Sequence, residues 1–224
     1  MNISEAFDFL NFWISKERGV FYTIPELTLI VNRGQSSLFS DLEPIYATSQ
    51  RVKDALAPFR DTYNFTTQVS GLVIVPSDRN YSSLLDIEIY FPISNRTVYY
   101  GVSLANEDVR TSRLNSQIDP ATVTSPVGEQ IAKGTFKLSP TGVYNGTVTF
   151  LRKPKDIVFG YTVISGRVIV YDPNTSVQFE WNDQWQNAVL VKALSSIGIN
   201  LTDQQVSQYA ELKTSSNYQS VNMV

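Results

Sequence analysis

The chain has 224 residues and a mass of 25.2 kDa, enough for one large domain or two small ones. It contains no cysteine and no histidine, which excludes disulfides, thiolate nucleophiles, imidazole-based nucleophile pairs and ordinary zinc sites. Eighteen basic residues against 21 acidic ones, a net charge of −3, are too balanced for a nucleic-acid binder that works by bulk electrostatics. What remains is carboxylate, Lys or Tyr chemistry, an oxygen-ligated cation, or a surface that works by contact. Charged residues make up only 17%, and the polar content is Ser, Thr, Asn and Gln. That composition suits a surface to be covered by partners, because burying amides costs less than burying ions.

The first 18 residues carry Glu5 and Asp8 where a signal peptide would be positively charged, so no targeting segment is expected. No apolar run is long enough for a membrane helix. Sequons at Asn64, Asn80, Asn95, Asn145 and Asn200 are expected by chance in a chain this rich in Asn, Ser and Thr. Asn2 and Glu5 form a capping-box pattern, and Ala6, Phe7, Leu10, Trp13 and Ile14 make an apolar stripe that Gly19 stops. A second helix opens at the capping box Thr23-Ile-Pro-Glu26. Its apolar face carries Leu27, Ile30, Val31 and Leu38, with Gly34 on the same face. A mid-helix glycine costs about 1 kcal/mol, so close approach of another helix at Gly34 is the expected compensation. A third short helix follows Pro44, with Val52, Ala55 and Leu56 inward, and ends at Pro58.

From about Phe65 the apolar period changes from 3.6 to 2. Strands are expected at 68–75, at 84–91, where Leu85, Ile87, Ile89 and Phe91 alternate with Leu84, Asp86, Glu88 and Tyr90, and at 97–104. A short helix over 106–114 and a turn-rich segment with Pro120 and Pro126 come next. Strands resume at 134–138, 147–151, 157–164, 167–171 and 177–181, with Ser165-Gly166 as a tight hairpin turn. Asn182 or Asp183 caps a helix with Trp185, Ala188, Val189 and Lys192, stopped by Gly198. Thr202 to Gln205 opens a further helix with Val206, Tyr209 and Ala210, and residues 214–224 read as a tail. The expected fold class is α+β: an N-terminal helical hairpin and C-terminal helices flanking an inserted antiparallel β-sandwich or barrel. The expected divisions are a helical block 1–64, a β domain 65–181, C-terminal helices 182–213 packing with the N-terminal block, and the tail.

Three groups of residues have the composition for chemistry. Asp86 and Glu88 share a strand face and would suit paired-carboxylate or cation chemistry, but they also fit the solvent face of an alternating strand. Arg152, Lys153 and Lys155 form a basic cluster around Pro154, a solvated turn or a contact for DNA or an acidic partner. Trp181 and Trp185 fit domain packing better than a sugar platform. No phosphate loop, dinucleotide fingerprint or nucleophile elbow is present. Glycoside hydrolysis needs only two carboxylates, yet no motif nominates a pair. The residues therefore nominate no catalytic group, cofactor or metal.

The segment FLNFWISKERGVFYTIPELTLIVNRGQSSLFSDLEPIY, with its Gly turn, Pro-containing capping box and Asn32-x-x-Gln35 element, resembles the N-terminal helical hairpin of neck proteins from crAss-like tailed phages. RLNSQIDPATVTSPVGEQI, TFLRKPKDIVFGYTV and FEWNDQWQNAVLVKALSSIGINLTDQQVSQYAEL resemble the same group. The resemblance covers most of the chain in scattered blocks, and Gly34 stands where Ala is expected. It implies a virion structural protein, a ring or portal adaptor of the head-to-tail neck, assembled in the bacterial host cytoplasm. Such proteins form closed homo-oligomeric rings, often twelve-fold, around the DNA channel, and contact portal and tail proteins through heterologous surfaces. Under that reading Leu27, Ile30, Val31 and Gly34 are candidate helix-packing residues, and Arg152, Lys153 and Lys155 candidate contacts for channel DNA or an acidic neighbour. A carbohydrate- or receptor-binding virion module is the alternative.

Overall fold

A computed structural model describes residues 1–93, 96–164 and 168–199. The expected turn at Ser165-Gly166, the helix opening at Thr202 and the tail lie outside the described residues. The chain divides into two compact units: Met1–Ala55 together with the chain from Pro154 onward, and Leu56–Lys153. An inserted β region between helical ends is therefore present, but its limits differ from 65 and 181.

The first unit is built on three longer helices. In α1 (Ile3–Arg18) the capping box is formed as expected. Asn2 Oδ1 accepts from the Glu5 amide at 2.8 Å, and Glu5 Oε2 accepts from the Asn2 amide at 3.2 Å. Gly19 ends the helix in the left-handed conformation, φ 67°. In α2 (Ile24–Leu42) the amide and hydroxyl of Thr23 both donate to Glu26 Oε2 at 2.7 Å, which holds that carboxyl below its ordinary range. The short α3 (Gln50–Leu56) ends at the division of the units. A later helix, numbered α5 in chain order, spans Asp183–Ser196 and is capped by Asn182. Ala6, Leu10 and Ile14 of α1, Val31 of α2, and Val189, Leu190 and Ala193 of α5 are fully buried. Fully burying one such aliphatic side chain is worth about 1.5–3 kcal/mol.

The returning chain lies on α2 through polar side chains. Asn32 donates through Nδ2 to the Ile157 carbonyl at 3.0 Å and accepts from the Ile157 amide at 2.8 Å. Buried Gln35 donates to the Lys155 carbonyl and to Asn32 Oδ1, both at 2.9 Å. Glu180 accepts from the Lys155 amide at 2.9 Å. These bonds explain why the strand expected over 157–164 is shorter and why 177–181 forms no strand. The backbone groups of 155 and 157 are already satisfied by side chains, leaving a single bridge between Val158 and Val177. Among the described residues two strands remain there, β9 (Tyr161–Ile164) and β10 (Val168–Tyr171), paired only with each other.

The second unit holds the other strands. One four-stranded sheet has the order β1 (Arg60–Thr66), β8 (Asn145–Arg152), β3 (Tyr81–Ile93), β4 (Arg96–Gly101). The other has the order β2 (Leu72–Ile74), β7 (Thr135–Ser139), β6 (Val127–Ala132), β5 (Ser103–Leu104). All pairs are antiparallel except β5 with β6, and the sheets do not close into a barrel. One core takes Phe65, Ile87, Ile89, Val148 and Phe150 from the first sheet and Val73, Phe136 and Leu138 from the second. Helix α4 (Glu107–Leu114), capped by Asn106, buries none of its residues and is tied to β6 by Arg110 Nε to Glu129 Oε2 at 2.7 Å.

Two strands were not expected. Residues 60–64 were assigned to the helical block, yet they begin β1 and run antiparallel to β8 from Arg60↔Leu151 to Thr66↔Asn145. As an outer strand β1 buries only Phe65, and the alternation of Asp61, Tyr63 and Phe65 with exposed Arg60, Thr62, Asn64 and Thr66 is a short period-2 pattern with only two apolar residues. The run 127–132, β6, buries only Val127 and Gly128 and is held by its ladder with β7.

Candidate functional site

The basic cluster does not survive as a unit. Arg152 is committed internally: Nη2 donates to the Pro58 carbonyl at 3.1 Å and the guanidinium lies 5.7 Å from the Phe59 ring centre. Lys155 belongs to the other unit, with Nζ 3.9 Å from Glu180 Oε1. Lys153 is exposed and has no ion pair among the described residues.

The other nominated residues are equally specific in their placement. Leu27, Ile30, Val31 and Gly34 are all buried, so they pack within the chain and offer no surface to another subunit. A Cβ on Gly34 would stand 2.7 Å from the Val189 carbonyl oxygen and 2.8 Å from Ala193 Cβ, the close helix approach that its position foretold. Asp86 is exposed and Glu88 half-buried, on the face of β3 opposite buried Ile87 and Ile89. Among the described residues no three of His, Cys, Asp and Glu are grouped to hold a metal ion. Trp181 is 2% exposed, and Trp185 is half-buried with the Arg51 guanidinium 5.5 Å from its ring centre, so the two form no open platform for a sugar.

The feature that departs from an ordinary folded surface is the β9–β10 ribbon. Its eight residues read Tyr-Thr-Val-Ile and Val-Ile-Val-Tyr, with no charge, and its register pairs Ile169 with Val163 and Tyr171 with Tyr161. Val163, Ile164 and Ile169 are 53, 54 and 55% exposed, and Tyr161 and Val170 at least 40%. No third strand covers either edge among the described residues. A two-stranded ribbon is marginal in water on its own, and a contiguous exposed apolar patch marks a contact surface.

The base of this ribbon is firmly built. Phe159 stacks on Phe7 of α1 with ring centres 4.7 Å apart and meets Tyr171 at 5.1 Å. The Gly160 amide donates to Ser176 Oγ and its carbonyl accepts from the Asp172 amide, both at 2.9 Å. Only glycine fits there, because a Cβ would overlap Thr175. The turn behind it is closed by Asp172, whose Oδ1 accepts from the Asn174 amide at 3.0 Å and whose carbonyl accepts from Ser176 Oγ at 2.7 Å. Gln178 ties Tyr171 to the start of α1 by donating to the Tyr171 hydroxyl at 2.5 Å and accepting from the Ile3 amide at 3.0 Å. An anchored base with bare apolar faces is the geometry of a displayed arm. The sequence alone places the same residues as hairpin strands of the β domain, whereas they pair only with each other among the described residues. The signal that distinguishes them is apolar character on both faces with no third strand to bury either.

The fold and this surface define an α+β protein that presents an uncharged β-ribbon. No protein-family model matches the chain, and no curated protein matches it significantly. Among the described residues no helix is long and apolar enough to cross a membrane.

Proposed function

We propose that the chain is an assembly subunit: a virion structural protein that forms a cyclic ring, an adaptor between portal and tail in the neck of a tailed phage. The observation that carries this reading is the anchored ribbon of strands β9 and β10, residues 161–164 and 168–171, with its exposed side chains and no charge among those eight residues. The resemblance of the helical and C-terminal segments to crAss-like neck proteins supports the phage context. The sharing of one core by both four-stranded sheets supports a sandwich as the finer description of the second unit.

The ribbon of one copy docks on a different surface of the next, the heterologous contact that closes a ring. Five side chains about half exposed, Tyr161, Val163 and Ile169 on one face and Ile164 and Val170 on the other, contribute on the order of 450 Å² of apolar area if both faces are covered, against about 800 Å² per partner in a standard interface. At ~25 cal/mol per Å² the gross gain is about 11 kcal/mol, similar to the roughly 4–15 kcal/mol lost in association. A ring held this way is weak for two copies alone and gains from a portal that assembles many at once.

The test replaces Val163 with Lys and Ile169 with Glu. These residues face each other across the ladder, so an opposite-charge pair keeps the ribbon, worth roughly 0.2–1 kcal/mol, while removing the apolar character of the face they share with Tyr161; adding Ile164→Thr and Val170→Thr removes that of the opposite face. The expected result is loss of self-association by native mass spectrometry and loss of incorporation into particles. Normal incorporation of the variant carrying all these changes would reject the ribbon as the assembly contact.

A further inference from the structure

The second unit holds a cleft of about 600 Å³ between the end of β2, the start of β3 and the β6–β7 turn. That size lies within the roughly 300–1,000 Å³ of ligand sites. Ile74, Val75, Pro76 and Tyr81 give it an apolar lining, and Ser77, Asn80 and Thr135 add hydrogen-bonding groups. Its two ionic residues are Lys133 and Lys153, twenty positions apart in sequence. Both are exposed, neither has an ion pair among the described residues, and no carboxylate lines the cleft. The nearby Arg79 is engaged with Asp61, Nη1 to Oδ2 at 3.5 Å.

The backbone around the cleft is fixed. The Val75 amide donates to the Gly134 carbonyl at 2.8 Å, and the Lys153 amide to the Asn80 carbonyl at 2.9 Å. Ile74 is 56% exposed, and β2 is an outer strand paired only with β7, which leaves one side of its backbone unpaired in the sheet. The cleft therefore offers two cations, hydrogen-bonding groups and an apolar surface together, at the end of an outer strand.

We propose that this cleft binds an extended acidic peptide segment of a neighbouring protein, its carboxylates at Lys133 and Lys153 and an apolar side chain against Ile74. Strand-edge pairing supplies main-chain affinity and the flanking groups supply selection. A nucleic-acid backbone fits less well. Strong phosphate binding uses on the order of 6–10 cationic contacts, two are present, and the apolar lining gives phosphate nothing. The proposal is independent of the ring reading, since an acidic segment could be offered by any partner.

The test uses the full chain and three fluorescently labelled probes: a hexapeptide alternating Glu and Val, its Lys-for-Glu counterpart, and a deoxythymidine hexanucleotide. Fluorescence anisotropy should show saturable binding of the acidic peptide alone. Lys133→Gln with Lys153→Gln should weaken it at least tenfold, about 1.4 kcal/mol, and Ile74→Ser by about threefold, with far-UV circular dichroism unchanged because all three residues are exposed. Absence of saturable binding, or binding indifferent to the double lysine change, would overturn the proposal. So would an oligonucleotide that binds more tightly than the peptide and is lost with the same lysines, which would make the cleft a polyanion site.

Discussion

Alanine at position 34 is the sharpest test of how the helical unit is packed. On an open helix face, Gly→Ala stabilises by about 1 kcal/mol through backbone entropy and hydration. Here the new Cβ would meet the Val189 carbonyl oxygen at 2.7 Å and the Ala193 amide nitrogen and Cβ at 2.8 Å. Ordinary heavy-atom contact is ~3.5–4.0 Å, so α5 must retreat from α2 by roughly 0.8 Å. None of the three obstructing atoms can rotate away, which puts the cost in the upper part of the ~1–3 kcal/mol range for overpacking. The net expectation is a loss of about 1–2 kcal/mol, or a fall in Tm of roughly 2–8 °C for a chain of this size. Tryptophan fluorescence during urea unfolding reports the relevant unit selectively, because Trp13, Trp181 and Trp185 all belong to it. Ser37→Ala, on the exposed face of the same helix, supplies the control and should stabilise by up to about 0.5 kcal/mol, seen as a higher midpoint. If Gly34→Ala also raised the midpoint, the close approach of α2 and α5 would be refuted.

Two further perturbations probe the joints of the fold. Gln35→Ala removes the donor to the Lys155 carbonyl and should cost about 1–3 kcal/mol, with faster tryptic cleavage after Lys155; unchanged cleavage would mean that Gln35 does not hold the returning chain. Tyr144 is 7% exposed, its hydroxyl donates to the Pro140 carbonyl at 3.0 Å, and burial raises its phenol above the ordinary value of 10.0. A raised folded value means that its contribution is complete below the unfolded value and lost as pH rises through the folded one. The second unit should therefore lose stability above about pH 10, and Tyr144→Phe should flatten that alkaline limb in far-UV melts.

The parts of this fold legible in the sequence are those fixed locally. Asn2 with Glu5 and Thr23 with Glu26 place two helix starts, Gly19 one stop, and the pair Asn182-Asp183 a third start, of which Asn182 is the cap, because capping is settled within a few residues. Gly34 announces a close approach for the same reason, although only the structure shows that the partner is α5. Strand β1 escapes because its period-2 pattern is short, with Tyr63 and Phe65 its only apolar residues, and β6 because only Val127 and Gly128 at its start are buried while the rest takes its order from the ladder with β7. The Asn32 and Gln35 pair was visible only as part of a resemblance, since its partners at 155 and 157 lie more than 100 positions away. The three adjacent cations look like one site in sequence, but Arg152 and Lys155 are engaged by Pro58 and Glu180, and Lys153 joins Lys133 instead. The ribbon was recognised as strand but not as surface, because nothing in its own residues tells whether another strand will cover it.

Imaging of native particles of a phage that encodes this chain tests the central claim most directly. The account predicts cyclic density between portal and tail that fits the chain, with residues 161–171 of each copy buried against the next. Particles that lack the protein, or a ring in which the ribbon faces solvent, would contradict it.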